Sequence, residues 1–174
     1  GLTFAQFSHA DLEAVQRVRE RLPWYVPHVA FEGPTIPQEG IEVFTSAYPF
    51  LVGLETSDEA MVYSMVKIMH THFEEYKNNA PGAGGWTLDR QKFEQAFVPF
   101  HEGAIRYYRE IGAWTEDAEE NNKKNLYRQS ILQEAWDQFL PSAPEGYREF
   151  EEAWTTFREQ ALAKVNLITL GQGL

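Results

Sequence analysis

The chain has 174 residues, 43% of them hydrophobic and 24% charged, a composition that excludes general disorder and suits one domain with a real core. It has no cysteine, which excludes disulfides, thiolate zinc sites and cysteine nucleophiles. The formal net charge of -11 opposes binding to nucleic acid or to anionic membranes, since both repel an acidic surface.

The chain opens Gly1-Leu2-Thr3-Phe4, with neither an initiating methionine nor a secretory leader, and reads as a processed product or an excised piece. No apolar run approaches the roughly 20 residues needed to span a bilayer. The first helix signal is Ser8 as N-cap, then Leu12, Val15, Val18 and Leu22 at spacings of three and four, with Pro23 as the stop. From Trp24 to Gly40, prolines and glycines predict loop with short extended pieces. The run IEVFTSAYPFLVGL, residues 41 to 54, is β-branched and aromatic and predicts one or two short strands, which Pro49 keeps from being long.

Ser57 then caps a helix with Asp58 and Glu59 in its first turn and an apolar stripe of Val62, Val66, Met69, Phe73 and Tyr76. It should run to Asn78-Asn79, before the break Pro81-Gly82-Ala83-Gly84-Gly85. That glycine run lacks the Lys-Ser/Thr of a phosphate loop and follows no strand, so it reads as a linker. A short helix is expected from Thr87 to about Phe97, and another from His101 to Ile111 with Gly112 as its C-terminal glycine. Thr115 should cap a helix whose polar first turns, Glu116 to Asn125, read as a solvated projection. Pro141-Ser142-Ala143-Pro144 turns the chain, and the returning helix carries the seam Tyr147, Phe150, Trp154, Phe157, Ala161 and Val165. The whole predicts a mainly α fold of about six helices with a small extended or β element between residues 29 and 54.

Two patterns inside this layout carry a family likeness. One is Val62, Tyr63 and Lys67 in the helix that follows the extended run. The other is VPFHEGAIRYYREIG, residues 98 to 112, with His101, Gly103, Ala104, Tyr107, Tyr108, Glu110 and Gly112. Together they resemble the latter part of the TAXI solute-binding receptors that serve TRAP (tripartite ATP-independent periplasmic) transporters. The resemblance implies that residues 1–113 are the C-terminal portion of a periplasmic-binding-protein-like α/β receptor; residues 114–174, past the point where family members commonly stop, are expected to form a helical hairpin extension packed on it. It further implies a periplasmic or extracytoplasmic, non-enzymatic protein. Such a receptor would bind a small organic acid or amino acid in an interlobe cleft and pass it to TRAP membrane permease subunits, with hinge closure as the mechanical step. A homodimer is a further expectation, because the surface left by an absent lobe tends to find a partner. The alternative from another class is a free-standing helical interaction or oligomerisation module.

Individual residues add little chemistry of their own. His70 and His72 are two apart on a helix and point to opposite sides; His70 and Glu74 share a face, but no third ligand is evident, so no metal and no cofactor is expected. His101-Glu102 reads as a helix start rather than an acid/base pair. Thr45, Ser46 and Tyr48, beside the hinge that the resemblance implies, are the residues placed for ligand contact, since hydroxyls there can bind a carboxylate. The competing reading is that Tyr48 is core and the hydroxyls satisfy local backbone.

Overall fold

The structure, a computed structural model, describes residues 4–31, 33, 35–46, 51–80 and 82–170. It divides into two compact units: Gly1–Phe50 with Ser130–Leu174, and Leu51–Gln129. The described residues are mainly helical with one small antiparallel sheet, the fold class expected from the sequence.

The discontinuous unit begins with helix α1 (Leu12–Arg21). Its cap is Asp11, whose carboxylate accepts the Ala14 N–H at 2.9 Å, and not Ser8, which stands about one turn too early. Strands β1 (Val26–Ala30) and β2 (Ile41–Thr45) then pair antiparallel, with Val26 opposite Thr45 and Ala30 opposite Ile41. Pro27 is tolerated in β1 because a two-stranded sheet has only edge strands. Ahead of α1, the Phe7 N–H donates to the Glu42 carbonyl at 2.9 Å and His9 Nε2 lies 2.9 Å from the Val43 carbonyl. These bonds fasten the N-terminal segment along β2, with the Phe7 ring edge-on to Phe44. Strand structure stops at Thr45, and the described residues 51 to 54 carry none.

This unit also holds the end of helix α5 (Glu116–Phe139), the turn at Leu140–Ser142 and helix α6 (Tyr147–Lys164). Phe139 is buried at the centre of the hairpin, its ring centroid 5.3 Å from Phe150, 5.3 Å from Trp154 and 5.6 Å from Phe157. Trp136 adds an edge-on contact to Trp154 at 4.9 Å. Edge-to-face rings are the favoured arrangement, and they lock the two helices in one register. Tyr147 departs from the expected seam: it is 84% exposed at the first residue of α6.

In the continuous unit, helix α2 (Glu59–Thr71) is capped by Asp58, which accepts the Met61 N–H at 2.8 Å, rather than by Ser57. The helical run breaks at His72, where the Tyr76 hydroxyl reaches back to the Met69 carbonyl at 2.8 Å, and α3 (Phe73–Tyr76) is a separate short turn. The helix expected over Thr87 to Phe97 is absent. Short 3-10 turns at Ala83–Trp86, Leu88–Arg90 and Phe93–Gln95 take its place. Helix α4 (Glu102–Glu110) follows, and Gly112, with φ of 70°, ends it in the left-handed conformation that glycine adopts without strain.

The start of α5, capped by Thr115 accepting the Ala118 N–H at 3.1 Å, is not a solvated projection. Ala118 and Asn122, four apart on one face, are 0% and 4% exposed. The Asn122 side-chain oxygen accepts the Phe100 N–H at 2.8 Å, and the Asn121 amide donates to the Phe93 and Ala96 carbonyls. Asn125 donates to the Ala96 carbonyl as well, at 2.8 Å. A row of asparagines thus supplies to the irregular stretch 93–100 the hydrogen bonds that a regular element would have supplied itself.

Candidate functional site

Val62, Tyr63 and Lys67 of one sequence pattern meet Gly103, Tyr107 and Glu110 of the other at one contact, the crossing of α2 and α4. Gly103 makes the crossing possible. A Cβ there would run into the Glu59 carbonyl oxygen and stand 2.8 Å from the Tyr63 nitrogen and 3.0 Å from the Val62 Cβ. The absent side chain lets the two backbones approach to a distance that no other residue allows.

Around that point the side chains form a ladder. Arg106 of α4 pairs with Glu59 at 2.6 Å and its guanidinium lies 4.2 Å over the Tyr63 ring. The Tyr63 hydroxyl donates to Glu110 and accepts from Lys67 at 3.1 Å, while Lys67 also reaches Glu110 at 3.4 Å. One turn further along, the Tyr107 hydroxyl lies 2.6 Å from His70 Nδ1, and its ring stands edge-on to Tyr63 at 5.7 Å. Glu59, Tyr63, Lys67 and His70 recur at helical spacing on α2, so one face meets one face.

The electrostatics follow from this geometry. The Tyr63 hydrogen bond, and after it Lys67, holds the Glu110 carboxyl below its usual range. Tyr63 first, then Glu110, raises the Lys67 ammonium. Burial raises the Tyr107 phenol, and burial among aromatics pushes Tyr108 up to about 12. Lys67, Glu110, Arg106 and Glu59 are roughly half-exposed, so water screens each ion pair and neither adds much stability. Tyr107, 2% exposed, buries a whole ring at the same contact, an effect of about 1.5–3 kcal/mol. Close packing therefore dominates, and the polar ladder fixes the register.

The other pattern residues serve the same unit. His101 caps α4, its Nδ1 accepting the Gly103 N–H at 3.1 Å, which leaves Nε2 to donate to the Ser57 carbonyl at 3.1 Å. This is the helix-start role expected of it. Tyr108 faces away from α2, into a cluster in which its ring is 4.6 Å from Phe93, while Trp114 is 5.3 Å from Phe100. Beside this cluster lies an open depression of about 400 Å³ lined by Arg109, Trp114, Thr115, Glu116, Glu119 and Lys123 among others. Glu119 fills its functional valence there: the Trp114 indole N–H, at 2.8 Å, does most to lower its pKa, and Arg109 follows at 2.7 Å.

His72 pairs with Glu75 at 2.7 Å and Glu74 with Lys77 at 2.6 Å, and no group of three His, Asp or Glu among the described residues could hold a metal ion. Thr45 is the last residue of β2 and its hydroxyl donates to the Ser46 carbonyl at 3.4 Å; Tyr48 lies outside the described residues. Sequence reasoning missed Arg106 and Glu59, whose spacing from Glu110 and Tyr63 along their own helices was the available signal.

The segment that contains this whole contact, residues 3–112, matches the model of the NMT1-like family. The chain belongs to that family. The NMT1-like family is a periplasmic-binding-like one, and a solute-binding-like role with a small-molecule ligand goes with it. The match ends at Gly112, before α5 and α6. No curated protein and no solved structure matches the chain. Among the described residues no helix is long and apolar enough to cross a membrane.

Proposed function

We propose that this NMT1-like chain is the C-terminal portion of a TAXI-type receptor for a TRAP transporter, working outside the cytoplasm and without covalent chemistry. Its ligand is a small organic acid or amino acid, delivered to the membrane permease subunits. The observation that carries the reading is the family match over residues 3–112, the same segment whose pattern residues close the α2–α4 crossing. A receptor lobe has to move as a body when its hinge closes, and a helix pair locked by close backbone approach suits that task. The carboxylates of the ladder are all engaged by cations or hydroxyls, an arrangement that favours holding a shape over proton transfer.

A thermal-shift screen of this chain against organic acids and amino acids, glutamate and other dicarboxylates included, with nucleotides and metal ions alongside, tests the proposal. A ligand at a hundred times its dissociation constant adds about 2.7 kcal/mol to the folded state. For a chain of this size that raises the melting temperature by roughly 5–10 °C. A flat screen on a folded sample, with calorimetric titration equally flat, overturns ligand binding by this portion; shifts confined to nucleotides or metal ions overturn the solute class.

A further inference from the structure

We draw no further inference here: the strongest candidate, the exposed apolar stripe of Met61, Met65 and Ile68 on the face of α2 turned away from α4, carries nothing because nothing in the structure shows what covers it.

Discussion

Replacing Gly103 by alanine tests the α2–α4 crossing directly. In an ordinary helix the exchange would stabilise by about 1 kcal/mol, because glycine is the poorer helix former. Here the added methyl meets the Glu59 carbonyl oxygen and the Tyr63 nitrogen, both backbone atoms that no rotamer change can move. Relief requires the two helices to separate, which lengthens the Arg106–Glu59 and Lys67–Glu110 contacts and uncovers part of Tyr107. Overpacking against a fixed wall costs about 3 kcal/mol, at the upper end of the usual range. Subtracting the propensity gain leaves a loss of about 2 kcal/mol, or roughly 4–8 °C in melting temperature for a chain of this length. Urea unfolding followed by circular dichroism gives the magnitude, and hydrogen exchange of the α4 amides gives the location. Gly84→Ala is the control, since a Cβ there meets nothing within 4 Å. If Gly103→Ala is as stable as the parent and its α4 amides are equally protected, the close crossing does not exist as described.

Asn122→Ala should cost about 1–3 kcal/mol by stranding the Phe100 N–H, and that amide should lose its exchange protection. Phe139→Ala should cost about 3–5 kcal/mol in chemical denaturation, against less than about 0.5 kcal/mol for the exposed Tyr147→Ser. The Glu110 carboxyl, held low by Tyr63 and Lys67, adds stability that is complete above its unfolded value of 4.5 and is lost as pH falls through the lower folded value. Parent and Glu110→Gln should accordingly differ in urea midpoint at pH 7 and converge in acid; a constant gap from pH 7 to 3 contradicts the pairing.

Local signals located α1, α2, α4, α5 and α6, but not where α1 and α2 begin, and they misplaced a helix over residues 87–97. The three-four spacing of Leu12, Val15 and Val18 was enough to place α1, yet Ser8 and Asp11 are both competent caps and only the fit of the Ala14 N–H chooses between them. The same ambiguity separated Ser57 from Asp58. Residues 88 to 97 have helical periodicity but take 3-10 turns, because the Phe93 and Ala96 carbonyls are claimed by Asn121 and Asn125, which lie more than twenty residues away in sequence. At the start of α5, Asn122 is buried and Asn121 and Asn125 are half-buried, while Glu116, Asp117, Glu120, Lys123 and Lys124 stay exposed as a composition rule would have them. At the α2–α4 contact, the sequence patterns named Tyr63, Lys67, Gly103, Tyr107 and Glu110. That they all serve one crossing was illegible, since a glycine's role depends on the backbone opposite it.

The two units differ in how their chain is laid out, and this bears on the order in which a ribosome can finish them. Leu51–Gln129 is continuous, so every residue that its core and its asparagine row require is available once Gln129 has emerged. The unit that surrounds it in sequence has Gly1–Phe50 made before the inserted segment and Ser130–Leu174 made after it. During the interval residues 1–50 lack the other half of their unit, while the inserted unit can already be complete. A nascent chain halted once Gln129 has emerged should then carry a protease-resistant Leu51–Gln129 joined to a protease-sensitive segment 1–50. The joining of Gly1–Phe50 to Ser130–Leu174 then comes after the inserted segment can be complete.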